Sequence, residues 1–277
     1  MGYATNAGAK LHYEVYGDGA ETIVLIPGLG LRGAVWDPVT RLLEESYRVV
    51  VVEPRGSGDS ATPDEPYTAE LVAADLKAVL DDAGVDAGHL VGLSMGGMIA
   101  QDFVLAFPDR VNSLVLLSTF ASPDQWFTRL FRFRKDLIHR MGILEHFRIY
   151  LMFVFSPFAF RNIPDVIARI ETSLQQRPPD TAAYLRQIDY CLEHDVTPAL
   201  SRVQVPTLVI TGSHDFLTPV PLGKELAEAI PEAEYREFEL ASHGLWLEYS
   251  KELAVACDEF IQRSRAEVGG RREKTWS

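Results

Sequence analysis

Three side chains, widely separated along the chain, could together carry out nucleophilic chemistry. Ser94 stands in "HLVGLSMGGMIA", as Gly92-Leu93-Ser94-Met95-Gly96. Asp215 stands in "VITGSHDFLTP" and His243 in "EFELASHGLWLE". A serine hydroxyl is a poor nucleophile until a base removes its proton. A histidine can be that base, and a carboxylate can orient its imidazole and stabilise the cation that forms. A G-x-S-x-G run marks a sharp, strained turn between strand and helix, where close backbone approach demands small neighbours. A plainer reading also stands: an ordinary strand-to-helix turn with Ser94 as the helix N-cap.

The chemistry that such a set offers is acyl transfer. His243 would take the proton of Ser94 as it attacks an ester or lactone carbonyl, and water activated by His243 would later release the acid. The developing oxyanion needs backbone donors. One is expected from the residue after the nucleophile, Met95. The other is expected from the glycine-bearing stretch "LIPGLG", at the N–H of Leu29. His214, beside Asp215, is expected to point elsewhere. His12, His89, His139, His146 and His194 read as surface or satisfied buried histidines.

The surrounding pattern supplies elements to position these groups. "KLHYEVYG", "ETIVLIPG", "YRVVVVEP", the run ending at Leu93, "RVNSLVLLST", "VPTLVITG" and "AEYREFEL" read as strands. The most uniformly apolar of them suit a parallel sheet covered on both faces. Val72, Leu76, Val79, Leu80 and Ala83 recur at helical spacing over 68–83. Further helices are expected before Glu45, from Met95 to Phe107 with Pro108 stopping it, and over 219–230 and 248–264. Alternation of this kind argues for a sheet sandwiched by helices. Ser94, Asp215 and His243 each fall just past a strand, where open parallel sheets keep their sites.

Between Phe120 and about Arg202 the alternation stops. Residues 121–200 are helical in pattern, hold eight of the 14 Phe residues, and carry ten Arg/Lys against nine Asp/Glu. The segment is expected to form a cap over the sheet. Its aromatic residues Trp126, Phe127, Phe131, Phe133, Phe147, Phe153, Phe155, Phe158 and Phe160 are expected mostly in its core, with some roofing the site. In "RLFRFRK", Arg129, Arg132 and Arg134 either form a solvated face or hold a substrate carboxylate.

The whole chain sets outer bounds. With 26 Lys/Arg and 39 Asp/Glu the net charge is −13, which disfavours nucleic acid as a partner. Cys191 and Cys257 form neither a disulfide framework nor a clustered zinc site. No secretory leader is expected from "MGYATNAGAK", and the apolar run Ile149–Phe160 is too short to span a bilayer. A cytoplasmic monomer or homodimer acting on a small molecule is the expectation, with no metal.

These motifs, taken in order with "VVEPRGSGDS" and "FPDRVNSLVLLST", resemble the α/β-hydrolase family over nearly the whole length. The resemblance implies an α/β fold: a mostly parallel eight-stranded sheet flanked by helices, with an inserted helical cap. The core would be 1–120 and 203–265, the cap 121–202, and 266–277 a disordered tail. It also implies Ser94, Asp215 and His243 as a triad, and no cofactor. Within the family the chain is most similar to the enol-lactonase, cofactor-free haloperoxidase and esterase branch. That implies a serine ester or lactone hydrolase; carbon–carbon bond cleavage on the same triad, or a ligand-binding receptor, are the alternatives. Some branches place the acid after the sixth strand, where Asp124 is the nearest carboxylate. Pro27 stands where many relatives have His, and Glu53 where many have Asp.

Overall fold

In the computed structural model residues 1–274 are described, the last nine of them by backbone alone. Eight strands form one sheet: β1 (Gly2–Asn6), β2 (Ala9–Tyr16), β3 (Thr22–Ile26), β4 (Arg48–Val52), β5 (Gly88–Leu93), β6 (Val111–Leu117), β7 (Thr207–Gly212) and β8 (Glu234–Phe238). Their spatial order is β1-β2-β4-β3-β5-β6-β7-β8. β2 pairs antiparallel with β1 and β4, and every other pairing is parallel. β5 and β7 are buried along their entire length. This is why they read as continuous apolar runs rather than alternating ones. β1 is an edge hairpin partner with a single buried residue, and carries no comparable signal.

The topology puts a crevice where it is needed. From β3 the chain goes to its neighbour on one side, β4, and then returns to β5 on the other. In open α/β sheets, ligands bind outside the carboxyl ends of the strands at such a switch point. The loop at Gly28 leaves β3 and the turn at Ser94 leaves β5, so the two sit side by side. Leu25 opposite Val91 and Ile26 opposite Gly92 fix their register.

Helices α1 (Asp37–Leu43), α2 (Ala69–Asp82) and α3 (Met95–Ala106) belong to the first half of the sheet. Thr68 caps α2, its hydroxyl accepting from the Leu71 N–H. Between β6 and β7 lie five helices and no strand: α4 (Gln125–Met141), α5 (Ile143–Val154), α6 (Pro157–Asn162), α7 (Pro164–Gln176) and α8 (Thr181–Glu193). After β7 come α9 (Val220–Ala229), then β8, the short α10 (Leu245–Glu248) and α11 (Ser250–Lys274). One junction of the inserted helices with the core is at α5: the Ser242 hydroxyl and the Gly244 N–H both donate to the Val154 carbonyl, at 2.8 and 2.9 Å.

Of the inserted aromatic residues, Phe127, Phe131, Phe147 and Phe155 are buried. Trp126, Phe133, Phe158 and Phe160 are exposed, so the expectation that most are core holds for only part of the set. The apolar run Ile149–Phe160 is divided between α5 and α6, and no helix of the described residues is long and apolar enough to cross a membrane. The expected tail, 266–277, lies outside the described residues apart from the backbone of α11.

Candidate active site

The strand-to-helix turn at Ser94 is strained. Ser94 has φ 53° and ψ −116°, a region costing non-glycine residues about 1–3 kcal/mol. The surroundings hold it there. Its N–H donates to the Leu117 carbonyl at 2.8 Å, and its own carbonyl accepts from Gly97 N–H and the Thr119 hydroxyl, each at 2.9 Å. A Cβ on Gly92 would lie 2.4 Å from the Gly96 carbonyl oxygen, and one on Gly96 would lie 2.2 Å from that of Ile26. The flanking glycines are therefore required by packing. The Ser94 side chain makes no capping hydrogen bond to α3, which removes the plain N-cap reading. Ser94 lines a cavity.

His243 lines the same cavity. Its Nδ1 lies 2.9 Å from Oδ2 and 3.1 Å from Oδ1 of Asp215, and both residues are 4% exposed. An ionised carboxylate only accepts, so Nδ1 carries a proton, and in the neutral imidazole Nε2 keeps a lone pair. Asp215 also accepts from the Leu217 and Thr218 N–H groups at 2.9 Å and from the Thr218 hydroxyl at 2.8 Å. Burial alone would raise its pKa; the His243 charge and hydrogen bond, together with the Thr218 donors, outweigh it and hold the carboxyl below its usual range. Among the described residues no hydrogen bond joins Ser94 to His243. Were they a nucleophile and its base, the bond could form on substrate binding, since catalytic hydrogen bonds often tighten only in the complex.

The two expected backbone donors flank the serine. Gly28, Leu29 and Ser94 line the cavity together, and a Cβ on Gly28 would be 3.4 Å from that of Ser94. Met95 is the first residue of α3, so its N–H has no intrahelical acceptor and sits at the positive end of the helix. The cavity, about 410 Å³, is walled on one side by apolar side chains, mainly Phe147, Tyr150, Leu151 and Val154 of α5, Phe155 just after it and Trp246 of α10, while Arg32, Arg169, Arg177 and Asp180 also line it.

The other candidates lie elsewhere. Asp124 caps α4, its carboxylate accepting from the Phe127 N–H at 2.7 Å, and His214 is exposed. Arg129 and Arg132 are exposed and do not line the cavity. Arg134 departs from the solvated-face expectation: it is 2% exposed, with its guanidinium 3.7 Å from the Tyr150 ring centre and 4.2 Å from that of Phe131. The reason is its spacing, since Phe127, Leu130, Phe131, Arg134, Leu137 and Ile138 make one buried stripe on α4. Its Nε lies 3.1 Å from His146 Nε2. Burial, reinforced by the Arg134 charge, pushes the His146 pKa down to about 3.

Glu53 is a support. It accepts from Gly33 N–H at 2.8 Å and Asp59 N–H at 2.6 Å, and lies 3.0 Å from His12 Nδ1. His12, Glu53 and Asp59 bring potential metal ligands within 4.8 Å of one another. Those hydrogen bonds, and the pairing of Asp59 with Arg32 and Arg177, already account for the cluster. Sequence reasoning missed Thr218, whose signal was its position three residues after Asp215. It also missed Gln187, which has no local signal.

Comparison with known proteins agrees with this architecture. A family model described as alpha/beta hydrolase fold matches residues 21–248. A protein of Azorhizobium caulinodans named "Putative carbamate hydrolase RutD" is 31% identical over 243 residues, covering 88% of this chain and 91% of its own. The structure of an enol-lactonase from Burkholderia xenovorans superposes with a TM-score of 0.88 at 28% identity, covering 94% of this chain and 100% of that one. A thermophilic esterase from Thermogutta terrifontis gives a TM-score of 0.83 at 27% identity over 95% of this chain and 98% of its own.

Proposed function

The chain belongs to the α/β-hydrolase family, and we propose that it is a serine hydrolase that cleaves a carboxylic ester or lactone of a small, largely apolar substrate through an acyl-enzyme. One observation carries the reading. A serine held in a strained conformation, with its hydroxyl released from any capping role, shares a cavity with a histidine backed by a buried carboxylate. In this mechanism His243 Nε2 accepts the Ser94 proton as Oγ attacks the carbonyl carbon. Asp215 keeps the imidazole in the correct tautomer and stabilises its cation. The N–H groups of Leu29 and Met95 receive the oxyanion; losing one such donor costs about 10²–10³ in kcat. His243 then returns the proton to the leaving alkoxide, and a water attacks the acyl-enzyme by the same route in reverse.

The apolar part of the cavity lining supports this substrate class. The inserted helix α5 and Trp246 offer apolar surface, which desolvates an alkyl or aryl group. Each buried methylene is worth about 0.8 kcal/mol, or roughly fourfold in rate if the gain is kept in the transition state. The name of the Azorhizobium relative adds a carbamate as a second acyl class to try. The test is a fluorophosphonate probe with a panel of nitrophenyl esters, lactones and carbamates. The probe should label the unaltered chain and not Ser94→Ala, and kcat/KM should rise from acetate to medium-chain esters. Labelling that survives Ser94→Ala would overturn the assignment of the nucleophile.

A further inference from the structure

Gln187 sits on α8, in the inserted segment, yet it is 1% exposed and bonded to two loops of the core. Its Oε1 accepts from the Gly30 N–H at 2.8 Å. Its Nε2 donates to the Arg55 carbonyl and to the Ser57 hydroxyl, both at 2.9 Å. One turn earlier on α8, the Tyr184 ring lies against Gly30, where a Cβ would meet it at 2.4 Å. The Tyr184 hydroxyl accepts from Arg134 Nη2, which fixes the ring in turn.

The point of attachment matters. Gly30 follows Leu29, and the Leu31 N–H donates to the Gly28 carbonyl at 3.1 Å, closing a turn over Leu29 and Gly30. Gly30 has φ +70°, as the third residue of a type II turn requires. Pro27 before this turn has no N–H and no polar side chain, so the loop cannot brace itself from that position. The Gly30 N–H projects away from the turn, and Gln187 is its acceptor.

We propose that Gln187 is a positioning residue for the oxyanion loop: α8 sets the Gly30 peptide, and through it the direction of the Leu29 N–H. This rests on the acyl-transfer reading above and extends it. The inserted helices do more than wall the cavity; one of them completes the alignment of a backbone donor. An interaction with the oxyanion operates in the transition state and not in the ground state, so its loss appears in kcat rather than KM.

The test compares the full-length chain with Gln187→Met, using a butyrate ester and titrating reactive Ser94 with a fluorophosphonate. A displaced donor costs less than a deleted one, so kcat per titrated serine should fall about 10- to 100-fold, with KM within about twofold. The affinity of a boronic acid analogue of the tetrahedral intermediate should weaken by the same factor. The Gly30 amide should lose hydrogen-exchange protection while β5 keeps its own. If Gln187→Met does not fold, Gln187→Asn is read the same way, because it is one methylene too short to reach Gly30 and Arg55 together. Unchanged kcat per titrated serine, or a loss confined to KM, would overturn the positioning role and leave the reaction standing. Failure of the unaltered chain to take the probe or turn over any ester would instead sink the reaction.

Discussion

Two buried histidines face charged partners of opposite sign. At the sheet edge, His243 has the Asp215 carboxylate 2.9 Å behind Nδ1. In the inserted helices, His146 has the Arg134 guanidinium 3.1 Å from Nε2. Burial does not separate them, since both are almost fully enclosed. The sign of the neighbour does. A carboxylate orients an imidazole to take up a proton at the opposite nitrogen and stabilises the cation that results. A guanidinium needs an acceptor and repels a second positive charge, so His146 serves as a fixed neutral acceptor. Under the proposed reaction the same residue type is chemical equipment in one place and packing in the other.

The largest expected effect breaks that comparison at the end proposed as catalytic. Asp215→Asn keeps a carbonyl oxygen for the Leu217 and Thr218 N–H groups but turns an NH₂ toward His243. The imidazole then holds the wrong tautomer, and kcat/KM on a butyrate ester should fall by about 10⁴. Asp124→Asn and His146→Gln should leave it close to that of the unaltered chain. Comparable losses in Asp215→Asn and Asp124→Asn would mean that the acid has been misassigned.

The second effect sharpens the other end, and is read in stability. The His146 pKa is depressed to about 3 in the folded chain, against an ordinary value of 6.5. Between these values the unfolded chain binds the extra proton, so stability falls as pH falls. From pH 7.5 to pH 5 the cost is about 2 kcal/mol, at 1.36 kcal/mol for each pH unit below 6.5. His146→Gln keeps an acceptor for Arg134 and cannot titrate, so its unfolding free energy should lack that component. Asp215 does not confuse the measurement. Its pKa is lowered, so its contribution is present above the ordinary carboxylate value and is lost only as pH falls through the lower native one. An identical pH dependence in the unaltered chain and His146→Gln would show that His146 is not held neutral.

The two ends were unequally legible in the sequence. Ser94, Asp215 and His243 each follow an apolar strand, and a strand end is a local signal that fixes where a residue emerges. The places of Met95 and Leu29 beside Ser94 followed from the strand end and a glycine turn. Arg134 was legible in principle, because it falls on the stripe of Phe127, Leu130, Phe131, Leu137 and Ile138, but its charge suggests a solvated face. Gln187 was not legible at all. Its partners Gly30, Arg55 and Ser57 are more than a hundred residues away, and no spacing rule connects them. β1 was missed because its single buried residue leaves no alternation to read. Local periodicity reports elements and their ends; contacts between an insertion and the core are long-range and leave no such trace.

The smallest expected effect asks whether a cation at the cavity reads the substrate. Arg32, Arg169 and Arg177 line the cavity where it meets solvent, with Asp59 pairing two of them. They are wholly or partly exposed, so their attraction for an anion is screened by water and salt. Exposed pairs are worth about 0–1 kcal/mol, or up to about fivefold. Of two matched esters, one neutral and one carrying a distal carboxylate, the anion should be preferred by no more than about fivefold at low salt. At about 0.5 M salt the Debye length is near 4 Å and the preference should vanish. Arg177→Ala should reduce it, whereas Arg129→Ala and Arg132→Ala should not, since those side chains do not reach the cavity. A preference that is tenfold or more and survives salt would require a buried cation, because hydrogen bonds to a charged group away from water are worth about 1.5–3 kcal/mol. Arg134 is the candidate for that outcome. Its Nη1 is buried without a partner among the described residues, and its guanidinium lies 3.7 Å from the ring centre of Tyr150, which lines the cavity. Loss of the salt-resistant preference in Arg134→Met would then turn the inserted cluster from packing into a specificity element, and the contrast between the two histidines would narrow.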